Sequence, residues 1–448
     1  MYDTADTVVA LATLAGKSAL NIVRVSGPLS LSCYQGLTNS SVVPKPNYCV
    51  PKNIYASVKK PPIDYAMLIY YKGPKSFTGE DSLEIIVHGG VVVVNQVINA
   101  VVGYGVRLAG PGEFSYRAYL NNKIDLIQAE AIASMVTAKN NIDSFYHLNS
   151  IKGNLSQEII NYNNKLNDII SIGEHELNFS DEEITKTKSN AFIKRILDTR
   201  ESIKQIIKKS YTIELSSSSI QTVIIGGPNV GKSSLFNLLV GKSRSIVTNR
   251  KGTTRDTVEA EVYIGDVLIK LIDTAGIREA NNKVEKLGIK RTLQEIKKAQ
   301  IIIIVDDKKP QAILNKLILD KNKHKIVLVN NKADLKKDNF KDSKSIVVSC
   351  KDSTGIEELS TRLLTLSKEI EESFYSTYLF LINNRQLELL KEVGRRLNEA
   401  VKVYKKTEDL TIFISYLYLA QKGFNSLVRP IDRDEILNKI FKGFCVGK

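Results

Sequence analysis

The chain has 448 residues and a formal net charge of +15 at pH 7, long enough for about three domains. No apolar stretch reaches the ~18 residues that a membrane span requires, and nothing at the N-terminus resembles a signal peptide. Cys33, Cys49, Cys350 and Cys445 are dispersed, which argues against a zinc site or a disulfide framework. We expect no membrane association and a location in the reducing cytoplasm.

The basic excess has two interpretations. It suits a protein that handles tRNA, because phosphate contacts supply most non-specific affinity. The alternative is compositional drift, since lysine, asparagine and isoleucine are abundant throughout the chain, and the charges would then lie on solvated faces.

Residues 1–119 carry short β-like runs separated by glycine and proline, which predicts a compact α+β domain. These runs are Thr7–Ala12, Ile22–Val25, Ala66–Tyr71 and Leu83–Val87, followed by a helical stretch at Val94–Val102. The apolar runs Val91–Val94 and Ile301–Val305 are typical of buried strands.

Beyond Leu120 the apolar residues recur at three- and four-residue spacing, as on one face of a long helix. The pattern includes Ile151, Leu155, Ile159, Tyr162, Leu166 and Ile169, then Ile193, Ile196, Leu197, Ile203 and Ile206, and later Leu387, Leu390, Val393, Leu397, Val401 and Tyr404. A polar linker, Ser216–Ser219, separates the second set from an α/β pattern. We therefore predict one helical domain in two parts, 120–215 and 371–448, with residues 216–370 inserted between them.

The inserted segment opens with a GxxxxGK[ST] motif, Gly226–Ser233, after the apolar run Val223–Ile225. Successive backbone N–H groups of such a loop point at phosphate oxygens. Lys232 is expected to reach the β- and γ-phosphates and Ser233 to bind Mg2+. The motif alone leaves ATP against GTP open, and the alternative is a glycine turn in an ordinary α/β domain.

Three later motifs favour GTP. Asp273–Gly276 ends a strand, where a carboxylate can hold Mg2+ through water, and Thr254 supplies a second hydroxyl for the ion. In Asn331–Asp334 the carboxylate can accept two hydrogen bonds from guanine, whereas adenine offers no such donor pair. Ser349 begins the motif that would meet the guanine oxygen. Together these motifs predict a GTPase domain.

Two residues indicate the kind of GTPase. In Ras-like proteins the residue after the Asp-Thr-Ala-Gly element is a glutamine that orients the attacking water, but here it is Ile277. In GTPases that resemble this one, an asparagine at the position of Asn229 helps to bind K+, which neutralises charge developing between the phosphates. The other K+ ligands would come from Thr248, Arg250 and Thr253. The alternative for Asn229 is a turn residue that tolerates a strained backbone.

The whole chain resembles the tRNA-modification GTPase MnmE (TrmE) family. The resemblance rests on Asp6–Ala10, Ile22–Gly27, Ser76–Asp81, His88–Gly90, Pro111–Ser115, Leu120–Leu126, Gln128–Ile132 and the terminal Phe444–Lys448. It implies a homodimer that, in a heterotetramer with the FAD-dependent partner MnmG, installs an aminomethyl or carboxymethylaminomethyl group at C5 of the tRNA wobble uridine. The implied one-carbon source is 5,10-methylene- or 5-formyl-tetrahydrofolate.

The resemblance also assigns site residues. The folate contacts fall on Arg24, Glu84, Lys123 and Lys448, types that suit a glutamate tail and a pterin edge. Glu285 takes the place of the catalytic carboxylate, beside Lys232 and Asp273. Cys445 matches a cysteine considered catalytic, and its alternative is a free thiol near the terminus. The predicted GTP-binding residues are Asn229, Val230, Gly231, Lys232, Ser233, Ser234, Thr248, Thr253, Thr254, Asp273, Thr274, Ala275, Gly276, Asn331, Lys332, Asp334 and Ser349.

The chain departs from the family pattern in two loops. The segment Thr13–Ala19 has less glycine than the family's loop and carries Lys17 where an arginine is expected. Arg250 and Lys251 stand in the K+ loop where an acidic residue is common, so either could partly replace the ion.

Two other function classes stay open from the sequence. One is a ribosome-assembly or RNA-checkpoint GTPase without one-carbon chemistry, and the other is a folate-binding aminomethyltransferase-like module that acquired a GTPase domain.

Overall fold

The computed structural model describes residue 2 and residues 4–178, 186–212, 219–242, 257–274, 292–316, 324–335, 344–430, 437 and 440–447, with the backbone alone at 178, 186–192, 212, 242, 257 and 316. The chain divides into two compact units. One comprises Met1–Thr137, His147–Ile207 and Arg385–Lys448, and the other comprises Ala138–Tyr146 and Lys208–Asn384. The boundaries expected after residues 119, 215 and 370 stay predictions, because this division into two is coarser.

A mixed sheet forms the N-terminal part of the first unit. Its strands are β1 (Val8–Leu11), β2 (Leu20–Ser26), β3 (Cys49–Tyr55), β4 (Pro62–Tyr71), β5 (Ser82–His88) and β6 (Arg107–Leu108), in the order β3-β4-β5-β2-β1-β6. Neighbouring strands are antiparallel except β1 and β6. Helices Ser30–Thr38 and Val91–Val102 supply apolar side chains to one core with one face of the sheet. We call the other face, which bears Arg24 and Glu84, the open face.

The predicted strands of this region are confirmed, but the prediction for Val91–Val94 is wrong. These residues form the first turn of helix Val91–Val102, and Val91 and Val92 are 57% and 69% exposed. The prediction fails because the periodicity of a short apolar run does not distinguish a buried strand from a segment of a helix. Strand β3 and helix Ser30–Thr38 were not predicted.

The apolar residues at helical spacing lie in helices, as predicted. The helices of this part of the fold are Glu113–Leu120, Leu126–Thr137, Asn141–Ile151, Asn154–Asn178, Lys186–Lys208, Asn384–Thr407 and Leu410–Val428. The prediction of one long helix through Ile151 and Leu155 is wrong, because Gly153 adopts φ +87° and separates two helices there. No helix of the described ranges is long and apolar enough to cross a bilayer.

The two sequence-separated parts of the helical region pack closely. A Cβ at Gly173, in the first part, would lie 2.9 Å from Ile414 Cδ1, in the second, and within the second part a Cβ at Gly423 would lie 2.6 Å from Val393 Cγ2. Arg385, from the second part, forms an ion pair with Glu130, from the first. Both parts therefore belong to one packed structure.

The second unit contains a largely parallel sheet. Its strands are β8 (Ile220–Gly226), β9 (Thr257–Ile264), β10 (Val267–Thr274), β11 (Ile301–Asp306), β12 (Lys325–Asn330) and β13 (Ile346–Val347), in the order β13-β12-β11-β8-β10-β9, with only β9 antiparallel in the described part of the sheet. This unit also contains helices Lys232–Lys242, Pro310–Lys316 and Ile356–Thr377, a helical segment at 292–298, a 3-10 turn at Ala333–Leu335 and the short parallel pair β7 (Ser210–Thr212) and β14 (Phe380–Ile382). Apolar clusters cover both faces of the sheet, as parallel strands require.

We predict opposite effects from two glycine substitutions in the helical region. A Cβ at Gly394 would meet no heavy atom within 4 Å, so Gly394→Ala should raise the free energy of unfolding by about 1 kcal/mol through helix propensity. Gly423→Ala should lower it, because the Cβ would collide with Val393. Denaturant midpoints of the two variants and the wild type measure this, and a destabilised Gly394→Ala protein would contradict it.

Candidate functional site

The phosphate-loop motif lies between β8 and helix Lys232–Lys242, at the carboxyl ends of the parallel strands. A Cβ at Gly226 would lie 2.1 Å from the Val305 carbonyl oxygen, and one at Gly231 would lie 2.2 Å from Asn331 Nδ2. Gly231 also adopts φ +93°. The motif glycines are therefore required by close backbone packing, and the loop leads its N–H groups into the helix N-terminus where anions bind.

Two charged side chains at this loop, Lys232 and Asp273, are buried. Lys232 Nζ donates to the Gly227 carbonyl at 2.7 Å, and burial lowers the pKa of Lys232 against the opposing charge of Asp273. Ser233 Oγ donates to Asp273 Oδ2 at 2.6 Å, while Asp273 Oδ1 is buried without a hydrogen-bond partner in the described structure. Burial raises the pKa of Asp273, and Ser233 and Lys232 oppose that shift.

This donor set fits a magnesium ion. A hard divalent cation prefers carboxylate, hydroxyl and water oxygens. Asp273 Oδ1 offers a free acceptor beside the Ser233 hydroxyl, at the end of strand β10. The residues in place therefore match Mg2+ bound with a nucleotide.

The base-recognition motif lies at the ends of β12 and β13. Asn331 Nδ2 donates to the Val230 carbonyl at 2.8 Å, which connects this motif to the phosphate loop. Ser349 Oγ is 3.0 Å from Asp334 Oδ1 and 3.2 Å from Asp352 Oδ2. Asp334 is exposed, so its carboxylate is accessible to a base.

The structure brings many of the predicted nucleotide residues together and leaves others outside its description. Val230, Gly231, Lys232, Ser233, Asp273, Asn331, Asp334 and Ser349 are joined by the contacts above. Asn229 and Ser234 lie exposed in the same loop and helix start, Thr274 bonds to the Ile224 carbonyl, and Lys332 pairs with Asp307 at 3.5 Å. Thr248, Arg250, Thr253, Thr254, Ala275, Gly276, Glu285 and Lys448 lie outside the described residues.

A second candidate site lies on the open face of the N-terminal sheet. Arg24 on β2 and Glu84 on β5 are register partners, and Arg24 Nε and Nη2 donate to Glu84 Oε1 at 3.0 and 2.7 Å. Tyr71 Oη donates to Glu84 Oε2 at 3.2 Å. The rings of Phe77 and Phe114 lie 5.9 and 5.7 Å from the guanidinium carbon of Arg24.

The C-terminal segment reaches this site. Arg24 Nη1 donates to the Gly447 carbonyl at 3.4 Å, and Gly112 N donates to the Cys445 carbonyl at 3.3 Å. The Cys445 thiol is exposed. Lys123 contacts the adjoining loop through Pro74, whose carbonyl is 3.0 Å from Lys123 Nζ. Of the four predicted folate residues, Arg24 and Glu84 therefore touch, Lys123 borders the Phe77 loop, and Lys448 is not described.

Sequence reasoning missed several neighbours of these sites. Tyr71, Phe77 and Phe114 surround Arg24 and Glu84, and Asp307 and Asp352 contact the base-recognition motif. Phe77 and Phe114 lie inside the family-like motifs Ser76–Asp81 and Pro111–Ser115, and Asp352 directly follows the Ser349–Lys351 motif, whereas Tyr71 and Asp307 lie in no such motif.

The strand order and the loop chemistry define a P-loop nucleotide-binding protein of the GTPase class. Two family models match the chain: the N-terminus of the GTP-binding protein TrmE at residues 7–123 and the MnmE helical domain at residues 126–445. This chain belongs to the MnmE family.

Relatives named tRNA modification GTPase MnmE match along the whole length. The proteins of Sulfurovum sp., Thermotoga maritima and Aquifex aeolicus are 36%, 34% and 35% identical over 456, 459 and 452 residues, each covering 99% of this chain and 99–100% of the relative. The solved G domain of Thermotoga maritima FeoB, 24% identical, covers 33% of this chain and 99% of its own at a TM-score of 0.28. The family assignment rests on the full-length relatives.

The predicted fold class is confirmed. The family models and the sheets agree with an α+β N-terminal domain, a discontinuous helical domain and an inserted P-loop GTPase domain.

We predict that Asp334→Asn lowers the affinity for a fluorescent GDP analogue by about 100-fold or more. The variant loses two charge-assisted hydrogen bonds to guanine, each contributing about 1.5–3 kcal/mol. Asp266→Asn, in the β9–β10 turn at the other end of β10, is the matched control and should bind normally. Equal affinity of the two variants in a fluorescence titration would remove Asp334 from base recognition.

Proposed function

We propose that this chain is a K+-activated, Mg2+-dependent GTPase that acts with an FAD-dependent MnmG partner on the wobble uridine of tRNA in the cytoplasm. The reaction installs an aminomethyl or carboxymethylaminomethyl group at C5 with a tetrahydrofolate one-carbon unit. The observation that carries the proposal is a P-loop site, with Asn331 bonded to the loop and Asp334 to Ser349, within a chain that matches MnmE relatives from end to end.

The residues of the nucleotide site have separate tasks in hydrolysis. The loop N–H groups and Lys232 hold the phosphates, and Asp334 with Ser349 selects guanine. Ser233 and Thr254 would hold Mg2+, with Asp273 acting through a water ligand, and the ion would neutralise charge on the β- and γ-phosphates. Water attacks the γ-phosphorus in line, the bond to the β–γ bridging oxygen breaks, and GDP leaves with the electron pair.

The water-orienting group must differ from that of Ras, because Ile277 cannot hydrogen-bond water. Glu285 takes this role by resemblance to the family. K+ supplies the charge of an arginine finger when it is bound by Asn229, Thr248, Arg250 and Thr253. The backbone of Asn229 adopts φ +57°, so a turn role for this residue is also supported.

The open-face site suits a folate. A pterin edge presents donors that a carboxylate accepts, and the glutamate tail of a folate is an anion for Arg24, Lys123 and Lys448. Glu84 and Arg24 retain 20% and 26% side-chain exposure, so a ligand can reach both. Bound tetrahydrofolate supplies the one-carbon unit, and the exposed Cys445 lies two residues from the Gly447 carbonyl that Arg24 contacts.

A homodimer through the N-terminal sheet is supported by the same open face. Leu20, Tyr65 and Met67 are 57%, 62% and 41% exposed on it, an apolar surface beside the folate residues. A second copy covering this face would place the folate at the interface.

A ribosome-assembly GTPase fits less well. That alternative class lacks the N-terminal folate segment and the terminal Cys-x-Gly-Lys, and this chain has both.

We expect GTP turnover to be at least ~10-fold faster in KCl than in NaCl at equal ionic strength, because the ion stabilises transition-state charge. Asn229→Gly keeps the left-handed backbone but removes the side-chain ligand, so this variant should lose the K+ preference and retain GDP affinity. Equal wild-type rates in the two salts would contradict K+ activation and favour replacement by Arg250 or Lys251.

We expect Glu84→Gln to bind 5-formyl-tetrahydrofolate at least ~10-fold more weakly in calorimetric titration, because a charge-assisted hydrogen bond becomes neutral. Glu388→Gln, on an exposed helix surface, is the matched control. Unchanged binding by Glu84→Gln would exclude Glu84 from the site, and no binding by the wild type would exclude the folate.

A further inference from the structure

Basic residues are concentrated around the β3–β4 hairpin of the N-terminal sheet. Residues 39–75 contain six lysines and one acidic residue, Asp64, and no arginine or glutamate, which gives a net charge of +5. The lysines are Lys45, Lys52, Lys59, Lys60, Lys72 and Lys75, and all are exposed. Asp64 is included in this net charge; it accepts hydrogen bonds from His88 N and Nδ1 and forms no ion pair with these lysines in the part of the chain that the structure describes.

Most of these lysines have no carboxylate partner among the described residues. Within the described ranges, Lys72 alone of the six forms an ion pair, with Asp81 at 2.9 Å. Helix Asn384–Thr407 is also rich in basic residues. Its Lys391, Arg395 and Arg396 are paired with glutamates of the same helix, and its Lys402, Lys405 and Lys406 form no ion pair within the described part of the structure. The hairpin therefore presents uncompensated positive charge, as a surface for a polyanion requires.

The charges follow the edge of the sheet. Strand β3 is the terminal strand, and its seven residues extend about 23 Å. Lys52 is the register partner of the buried Ala66, so its side chain starts on the helix-covered face, and Lys59 and Lys60 lie in the turn beyond β3. At the other end, Lys45 Nζ lies 3.9 Å from the ring centre of Tyr48, which is 53% exposed.

A cleft of about 860 Å3 adjoins the same turn. It lies between the hairpin turn and the helices Ser30–Thr38 and Val91–Val102. Its polar lining consists mainly of carboxamides, with one cation and one aromatic ring: Gln35, Asn39, Gln96, Asn99, Lys60 and Tyr104. None of the described residues that line it carries a carboxylate. Carboxamides both donate and accept hydrogen bonds, and an aromatic ring can stack, which are the groups that recognise an unstacked RNA base.

We propose that the β3 edge and this cleft form the tRNA-binding surface of the protein. The lysines hold the phosphate backbone of a single-stranded loop, and the cleft takes one unpaired base. The inference rests on the tRNA substrate of the proposed function and adds the location of its binding site.

The lysines also have a purely structural explanation, which is protection of the sheet edge. Edge strands carry lysine and proline to prevent pairing with other chains, and β3 contains both Pro51 and Lys52. That explanation does not require Lys59, Lys60 or the cleft, and it predicts no effect on RNA affinity.

The experiment compares two triple variants of the full chain with equal charge change. Lys52→Gln/Lys59→Gln/Lys60→Gln neutralises the hairpin, and Lys391→Gln/Lys402→Gln/Lys405→Gln neutralises exposed lysines of helix Asn384–Thr407. Binding of a fluorescent, unmodified tRNA transcript is measured by anisotropy between about 50 and 200 mM salt. The hairpin variant should lose about 10-fold or more in affinity, and its plot of log K against log salt should be shallower by about 2, whereas the control should stay within about twofold.

A second pair of variants tests the cleft. Gln96→Ala/Asn99→Ala should weaken tRNA binding with an unchanged salt slope, because it removes base contacts and no phosphate contact. Asn95→Ala, exposed on the same helix but outside the lining, should bind normally.

The outcomes separate the inference from the proposed function. GTP turnover, measured in parallel, should be unchanged in all four variants. Equal affinities of the hairpin and control variants, with tRNA bound well by the wild type, would overturn the binding surface alone and leave edge protection as the role of Lys52. A wild type that binds no tRNA would overturn the proposed function and this inference together.

Discussion

The ion pair between Arg385 and Glu130 is the interaction on which the helical region depends. Arg385 Nε and Nη2 donate to the two oxygens of Glu130 at 2.7 and 2.8 Å, across 255 residues of sequence. Arg385 Nη1 also donates to the Ser426 carbonyl in the last turn of helix Leu410–Val428. One side chain thus joins the first part of the helical region to two helices of the second, and bidentate geometry makes the connection strong and specific. A whole α/β unit can therefore be inserted between the two parts without separating them.

A buried charge network has a comparable role beneath the open-face site. Arg117 is fully buried and contacts Asp6, Glu80 and Glu113, and Arg107 contacts Asp6 and Glu113 from the surface. The network fixes helix Glu113–Leu120 against β1, and Phe114 on that helix flanks Arg24. A buried arginine is tolerated only when acids satisfy it, so removing one acid would leave an uncompensated charge. The position of Arg24 therefore depends on a charge network outside the open-face site.

How much of this structure can be predicted from the sequence depends on how far apart in the chain the interacting residues lie. Local signals succeeded: alternating and helical periodicity located most elements, and the nucleotide residues follow the ends of buried strands. Strand β3 was missed because Pro51, Lys52 and Asn53 give an edge strand no apolar alternation. Ile151 was assigned to the wrong helix because its spacing continues the pattern across Gly153. The contacts of Arg24 with Phe114 and Gly447 join residues 90 and 423 positions apart, and no local pattern encodes such pairs.

The nucleotide site buries two charged side chains, although charged side chains ordinarily lie at the protein surface. Lys232 and Asp273 are both largely buried, and burial shifts their pKa values in opposite directions, each toward its neutral form. Their mutual attraction only partly opposes that shift, and Asp273 Oδ1 has no partner among the described residues. Burying a cation and a carboxylate with an unused acceptor is costly. Phosphate oxygens beside Lys232 and a hydrated divalent ion beside Asp273 would satisfy both groups at once. Groups of this kind would offset the cost of burying the two charges at the end of the sheet, as expected where functional residues break the ordinary rules of burial.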